Sequence, residues 1–216
     1  KFAMKVEKEY GKNEMWYIVD CDKDAYIYCG FNRNITADEF NERLKNKTIT
    51  DVLNKIHVKK DEAYFIPAGT VHAIGEGILI CEIQQNSNST YRIYDYDRRD
   101  KNGKLRDLHV EKALQVINLN EYMPYVNSKE KGVGVNNLRK ICGCKYFEVS
   151  VAEIQGNKDF YVDKSSFMAV VVIEGKGILT DEWSETKFER GDTFFIPAGT
   201  GDIRIAGICK VIFVHV

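Results

Sequence analysis

Short runs of large apolar residues, broken by glycines and charged residues, recur along the chain and predict many brief β-strands. The first strong run, 14–19, follows Gly11, and the stretch 24–31 is predicted to be its hairpin partner. Strand-like spacing returns over 57–96 and again from residue 146 to the end. The pattern therefore predicts a chain that is mostly β.

A few stretches have the spacing of helices instead. Thr36 and Glu39 match a capping box, in which the two side chains satisfy free N–H groups at the start of a helix. A second short helix is predicted over 51–56 and a third over 107–118. We interpret the first two helices as an insertion packed on a sheet and not as a separate domain.

One seven-residue segment occurs twice. The sequence Tyr64–Thr70 (YFIPAGT) recurs as Phe194–Thr200 (FFIPAGT) with one conservative change. A match of this length argues for two copies of one β unit. The copies differ at a ligand-type residue, because His72 of the first copy is replaced by Asp202 in the second. We therefore expect the first unit to carry the function and the second to be a degenerate scaffold.

These patterns predict three segments along the chain. Residues 1–118 form a first unit with a helical insertion, 119–140 form a linker without clear periodicity, and 141–216 form the second unit. Many short strands with turn signals favour pairs of short antiparallel sheets that close on each other. The predicted fold class is all-β with a few helices, in two jelly-roll units of which the second is degenerate.

Composition excludes several classes of protein. The formal net charge of −1 and the scattered basic residues argue against nucleic acid as a partner. No apolar run approaches the roughly 20 residues of a membrane helix, so no membrane partner is expected. Six scattered cysteines are typical of reduced thiols in a cytoplasmic protein. Cys142 and Cys144 are only a weak candidate for a metal-binding pair, because closed zinc sites need four ligands.

Two ligand-type residues, Glu14 and His72, lie next to strong strand signals. Zinc is bound by a neutral histidine nitrogen and by glutamate oxygen, and a catalytic zinc keeps one position for water or substrate. Inward-pointing side chains on neighbouring strands of a jelly roll would bring such ligands together. Purely structural roles remain open for both residues, because a histidine beside a turn is often only a hydrogen-bonding group and most glutamates are simply exposed.

Other charged residues have ordinary interpretations when taken alone. Arg92 lies between two tyrosines, so stacking on aromatic rings and pairing with Asp95 are both open. Lys12 has the character of a surface lysine, and 98–101 has that of a solvated turn.

Four motifs in a fixed order carry a specific resemblance: GKNEMWY at 11–17, FIPAGTVHAI at 65–74, CEIQQNS at 81–87 and TYRIYDYDR at 90–98. On these motifs the chain resembles the short bacterial type I mannose-6-phosphate isomerases (phosphomannose isomerases) of the cupin superfamily. The resemblance covers essentially the whole chain. It implies that the two jelly-roll units are cupin-like.

The resemblance also implies a function. The chain would belong to a zinc-dependent isomerase that interconverts mannose 6-phosphate and fructose 6-phosphate, an aldose and a ketose, by enediolate proton transfer. It would hold one Zn²⁺ per site and act on a phosphorylated hexose. Glu14 and His72 would be zinc ligands, Arg92 an active-site arginine and Lys12 an active-site lysine. The family's other ligands, a Gln and a His on one early strand, would precede Lys1.

The reaction needs a polarised carbonyl, a base, and fixed positive groups such as Arg92 to stabilise the enediolate. Lys12 or Arg92 would also bind the dianionic phosphate, and Glu82, on a predicted strand, is the candidate for proton transfer. The competing hypothesis is a catalytically inactive, truncated cupin that binds sugar or serves as a scaffold. Another kind of cupin enzyme, such as a dioxygenase, is less favoured because the chain has no His-x-His pair.

Overall fold

The computed structural model describes most of the chain, namely residues 2–124, 126–127 and 138–216. The chain divides into two compact units, Lys1–Val126 and Asn127–Val216. The division falls within the predicted linker 119–140, of which residues 125 and 128–137 lie outside the described part. Both units are built mainly from antiparallel strands, which confirms the predicted mostly-β fold with a few helices.

The first unit contains two antiparallel sheets and three short helices. Three neighbouring strands of one sheet follow the order β6-β1-β4, and the other sheet has the order β3-β2-β5. A two-residue strand, β7, comes where the two units meet in the sequence. The elements are α1 (Phe2–Val6), β1 (Glu14–Cys21), β2 (Tyr26–Phe31), α2 (Ala37–Lys45), β3 (Leu53–His57), β4 (Ala63–Ile66), β5 (His72–Ile74), β6 (Ile78–Gln84), α3 (Val110–Leu114) and β7 (Val126–Asn127).

Strand β1 is central to its sheet and is buried on both faces. Trp16 and Ile18 belong to the core that fills the space between the two sheets, and Met15 and Tyr17 on the other face are 0% and 1% exposed. The predicted hairpin between 14–19 and 24–31 is wrong, because β1 pairs with β4 and β6 while β2 pairs with β3 and β5. Since both edges of β1 are occupied, the chain carries β2 to the facing sheet instead.

The start of α2 agrees with the prediction. The backbone N–H of Glu39 donates to Oγ1 of Thr36 over 3.1 Å, which caps the helix. The Glu39 carboxylate does not complete a reciprocal box but pairs with Arg33 and Arg43. The cap is therefore one-sided, and the acid contributes through ion pairs on the helix surface.

The helix predicted over 51–56 is wrong. A single 3₁₀ turn at Ile49–Val52 leads directly into β3. The amide nitrogen of Asn54 donates to the backbone carbonyls of Cys29 and Phe31, over 3.1 Å in each case, and so fixes this segment against β2. Pairing with a neighbouring strand therefore outweighs the weak helical spacing of so short a segment.

The helix predicted over 107–118 is shorter than expected, since only Val110–Leu114 is α-helical. Beyond it, the backbone N–H of Asn118 donates to the carbonyl oxygen of Gly69 over 2.9 Å, which ties the chain to the Pro-Ala-Gly turn. α2, the 3₁₀ turn and α3 share one apolar cluster. Its buried members are Phe31, Ile35, Phe40, Ile49, Val52 and Leu53.

Within residues 138–216, the second unit is one sheet of six strands with its own core. Its strand order is β11-β10-β13-β9-β8, and β12 also pairs with β10. The strand-like spacing predicted from residue 146 to the end is confirmed, and β10 and β13 are long strands of 13 and 15 residues. The strands are β8 (Leu138–Gly143), β9 (Glu148–Val162), β10 (Met168–Thr180), β11 (Glu185–Glu189), β12 (Thr193–Ile196) and β13 (Gly201–His215).

The two copies of the repeated segment adopt the same turn. In the first, the backbone N–H of Thr70 donates to the Pro67 carbonyl over 3.1 Å, and in the second, Thr200 donates to Pro197 over 3.3 Å. A strand ends at the isoleucine before the proline in both copies. Asp202, which takes the place of His72, is exposed. The degeneracy of the second unit stays a prediction.

Two features of the structure concern the cysteines and the question of a membrane helix. All six cysteines are free thiols, and Cys29 and Cys209 are buried. Among the described residues, no helix is both long and apolar enough to cross a membrane.

Candidate active site

A cavity of about 1070 Å³ opens in the first unit. It is bordered by the start of β1, by the Pro-Ala-Gly turn with β5, and by the loop that follows β6. Four predicted site residues line it: Lys12, Glu14, His72 and Arg92. Glu82 is not part of this lining but contacts Lys12. The fold thus brings the separate motifs of the sequence to one place.

Glu14 begins β1 and lies on the same strand face as Trp16, which points into the core between the sheets. It is only 3% exposed. Burial, reinforced by a hydrogen bond with Glu82, raises the pKa of Glu14 to about 7, although Lys12 opposes the shift. A buried carboxylate that is incompletely compensated is suited to bind a cation.

Lys12 lies between two carboxylates. Its Nζ is 3.1 Å from Oε1 of Glu14 and 3.3 Å from Oε1 of Glu82. Glu82 reaches this position because β6 pairs with β1, with Glu82 opposite Trp16. The Lys12 and Glu14 interactions lower the pKa of Glu82 against the effect of its partial burial. The three side chains form one charged group, of which Lys12 and Glu14 line the cavity.

His72 begins β5, two residues after the repeated threonine. Its Nδ1 donates to the carbonyl oxygen of Thr70 over 2.8 Å, and its Nε2 lies 3.6 Å from Oε1 of Glu14. The Trp16 ring system and the imidazole pack in a T-shaped arrangement with a centroid distance of 5.2 Å. Desolvation lowers the pKa of His72, which favours the neutral ring. The ring therefore presents the lone pair of Nε2 towards Glu14.

The turn before His72 is fixed by Gly69. Its φ of 90° is in the left-handed region, and a Cβ there would lie 2.5 Å from the carbonyl oxygen of Val116. Glycine is thus needed both for the backbone conformation and for the close contact with the segment after α3. This contact sets where β5 begins, and hence where the imidazole lies.

The donor set of Glu14 and His72 fits zinc, which takes carboxylate oxygen and neutral imidazole nitrogen. The lone pair of Nε2 and the buried carboxylate oxygen belong to facing sheets and are close enough to approach one ion. Within residues 2–124, 126–127 and 138–216, no group of three or more His, Cys, Asp or Glu side chains is arranged to hold a metal ion. The two residues fit as part of a ligand set.

Arg92 is held by the segment before α3. Its backbone N–H donates to Nδ1 of His109 over 3.2 Å, and its carbonyl accepts from the His109 backbone N–H over 2.7 Å. Its guanidinium donates to the Asp107 carbonyl over 3.3 Å and lies 3.9 Å from the Asp95 carboxylate. The pairing with Asp95 that the sequence left open is therefore only a long contact. The Arg92 side chain lines the cavity.

Several lining residues were not singled out by the sequence. Arg98 is exposed, as expected for the solvated turn, but it also donates to the carboxylate of Asp95 over 3.1 Å and lines the cavity. The signal that could have found it is the Asp-Lys-Asn-Gly turn at 100–103, which returns the chain to the same place. Other lining residues that the sequence analysis did not single out include Tyr26, Tyr28, Tyr94, Tyr96 and Arg106.

Comparison with known proteins decides the family. The chain is 36% identical to mannose-6-phosphate isomerase ManA of Bacillus subtilis over 207 residues, which is 96% of this chain and 65% of the relative. It superimposes on the crystal structure of the mannose 6-phosphate isomerase from Bacillus subtilis with a TM-score of 0.90 at 34% identity, covering 100% of this chain and 68% of that one. The chain belongs to the cupin-type mannose-6-phosphate isomerase family.

Two further comparisons concern part of the chain and the fold. The family model described as mannose-6-phosphate isomerase, cupin domain, matches residues 137–216. The structure of a putative mannosephosphate isomerase from Archaeoglobus fulgidus has the same fold, with a TM-score of 0.74 at 20% identity over 99% of this chain and 64% of that one. The chain spans 65% to 67% of the length of the curated relatives that it matches.

Proposed function

We propose that the protein containing this chain is a zinc-dependent aldose–ketose isomerase that interconverts mannose 6-phosphate and fructose 6-phosphate through an enediolate. One observation supports this above the others. Nε2 of His72 and Oε1 of Glu14 lie 3.6 Å apart in a cavity that Arg92 and Lys12 also line. A nitrogen and an oxygen donor for one Zn²⁺ per site thus adjoin the positive groups that an anionic intermediate requires.

Glu14 and His72 would hold the metal, and a bound zinc ion would act as a Lewis acid towards the carbonyl oxygen of the substrate. Arg92 is placed to stabilise the negative charge of the enediolate, because its guanidinium lines the cavity and its backbone is fixed on both sides by His109. A fixed donor is effective since it needs no rearrangement as the charge develops.

The proton must leave C2 of the aldose and return at C1 to give the ketose. We assign this transfer to Glu82, whose carboxylate lies 3.3 Å from Nζ of the cavity-lining Lys12. Lys12, 3.1 Å from Glu14, would orient the oxygen atoms of the substrate and keep Glu82 ionised. The shared lysine links the proposed base to the proposed metal ligand.

The proposal is tested by an assay of the purified full-length protein with mannose 6-phosphate, coupled to detection of fructose 6-phosphate. We expect turnover that is lost on treatment with a chelator and restored by zinc. An inert protein that binds no zinc would contradict the proposal and favour the alternative, a catalytically inactive cupin that binds sugar or serves as a scaffold.

A cytoplasmic location is part of the same proposal. The substrate is a phosphorylated sugar, and the six free thiols agree with a reducing compartment. We propose neither a nucleic-acid nor a membrane partner, which accords with the formal net charge of −1.

A further inference from the structure

Three arginines surround one buried carboxylate in the wall of the cavity. Asp95 is 7% exposed and accepts hydrogen bonds from Arg98 and Arg106, and Nε of Arg92 lies 3.9 Å away. Three guanidinium groups around one carboxylate leave the cluster with an excess of positive charge. We propose that Arg98 and Arg106, positioned by Asp95, bind the dianionic phosphate of the sugar. This assignment rests on the proposed isomerase function, since it names the part of the site that holds the phosphate end of the substrate.

A small hairpin brings the two arginines together although they are eight positions apart. Arg99 and Leu105 form an isolated antiparallel bridge, so the residues just outside this pair, Arg98 and Arg106, emerge side by side. The backbone N–H of Arg98 also donates to the carbonyl of Asp95 over 3.0 Å, which folds the chain back on the carboxylate. The loop thus has a local structure that fixes both side chains.

The carboxylate orients the arginines without using all their donors. Nε of Arg106 lies 2.7 Å from Oδ2 of Asp95, a second nitrogen of Arg106 bonds Oδ1, and Nη2 of Arg98 lies 3.1 Å from Oδ1. Each guanidinium carries five N–H donors, so several remain on both residues. In the part of the chain that the structure describes, Asp95 is the only carboxylate within salt-bridge distance of either arginine.

The remaining donors are accessible from the cavity. The side chains of Arg98 and Arg106 are 66% and 43% exposed, and both line the cavity. A planar guanidinium matches the geometry of two phosphate oxygens, and two such groups can neutralise a dianion. Lys12 is a weaker candidate for this role because its charge is already opposed by Glu14 and Glu82. The arginine pair is therefore the better phosphate site.

The test measures binding without turnover. The dissociation constants of mannose 6-phosphate, inorganic phosphate and unphosphorylated mannose are determined by calorimetry for the full-length protein and three variants. In Arg98→Gln we expect roughly 10-fold or weaker binding of both phosphate compounds, because charge-assisted hydrogen bonds are lost. Arg98→Lys should recover part of the affinity. Lys101→Gln is the matched control, since Lys101 is an exposed cation on the same hairpin outside the cavity lining and the variant should bind like the wild type.

Equal affinity of Arg98→Gln and Lys101→Gln for mannose 6-phosphate would overturn the phosphate site. So would wild-type protein that binds mannose as tightly as mannose 6-phosphate. A protein that binds the sugar phosphate through Arg98 but does not isomerise it would contradict the isomerase proposal and support the anion site. An active isomerase whose affinity for mannose 6-phosphate is unchanged by Arg98→Gln would contradict the anion site and support the isomerase proposal.

Discussion

Nδ1 of His72 donates a hydrogen bond to the carbonyl oxygen of Thr70, 2.8 Å away and two residues earlier in the chain. A carbonyl can only accept, so this contact places the proton of the neutral ring on Nδ1 and leaves the lone pair on Nε2. The Pro-Ala-Gly turn therefore does more than reverse the chain. It sets the tautomer of the histidine whose other nitrogen faces Glu14, as a second partner commonly does for a metal-binding histidine.

Arg92→Ala should reduce turnover of mannose 6-phosphate by roughly 10²-fold, because it removes a fixed positive group from the enediolate. Lys101→Ala on the same loop is the control, since it removes one positive charge outside the cavity lining. The measurement is kcat for both variants in the full-length protein. Equal turnover of the two variants would remove Arg92 from the mechanism.

Glu82→Gln should lower kcat by roughly 10²-fold or more, since the amide is similar in shape but cannot accept the substrate proton. Exchange of the C2 proton of mannose 6-phosphate with solvent, followed by NMR, should slow in parallel. Glu111→Gln, which changes an exposed glutamate in α3, serves as control. Unchanged proton exchange in Glu82→Gln would show that another group is the base.

Asp95→Asn should lower the free energy of unfolding by about 1–2 kcal/mol at neutral pH, because the charge-assisted bonds to Arg98 and Arg106 are weakened. Arg106, with Arg98, holds the pKa of Asp95 at about 2, below the value of about 3.9 expected in the unfolded chain. The stabilisation by the carboxylate is therefore present above about pH 4 and is lost as the pH falls towards 2.

Urea unfolding of wild type and Asp95→Asn at pH 7 and at pH 2 measures this dependence. The difference between the two proteins should shrink as the pH falls. A difference that is the same at both values would mean that the ionised carboxylate does not stabilise the loop.

Thr36→Ala should destabilise the protein by about 1 kcal/mol, because it removes the side-chain acceptor for the N–H of Glu39. Thr48→Ala is a matched control, since Thr48 precedes the 3₁₀ turn but its side chain makes no capping hydrogen bond. Thermal unfolding of both variants checks the difference. Equal losses would indicate that the cap at Thr36 adds nothing beyond the packing of a threonine.

The sequence predicted those parts of the site that depend on local pattern. Glu14 and His72 each follow a glycine-containing segment and begin a strand, so their type and position could be recognised. The pairing of β1 with β4 and β6 could not, because a partner strand is selected by packing over the whole unit. The turn signal between 14–19 and 24–31 therefore predicted a hairpin, whereas β2 pairs with β3 and β5 in the facing sheet.

The arginine cluster was missed for a similar reason. Arg98 resembles a surface residue until the bridge between Arg99 and Leu105 brings it beside Arg106 and the buried Asp95. Arg106 lies beyond a turn in the sequence, and local composition does not reveal that it is a neighbour of Arg98. The capping residue Thr36, by contrast, contacts a backbone group three positions away and was correctly predicted.

The central claim is that Glu14 and His72 bind one zinc ion together, and the metal content of four forms of the full-length protein tests it most directly. Zinc per chain is measured by atomic emission after dialysis for the wild type, Glu14→Gln, His72→Ala and the control His57→Ala, whose histidine is exposed and outside the cavity lining. Circular dichroism of each variant checks that it is folded. We predict about one zinc per chain in the wild type and in His57→Ala and a large loss in the other two, since each removes a ligand. Wild-type zinc content in folded Glu14→Gln and His72→Ala would contradict the claim.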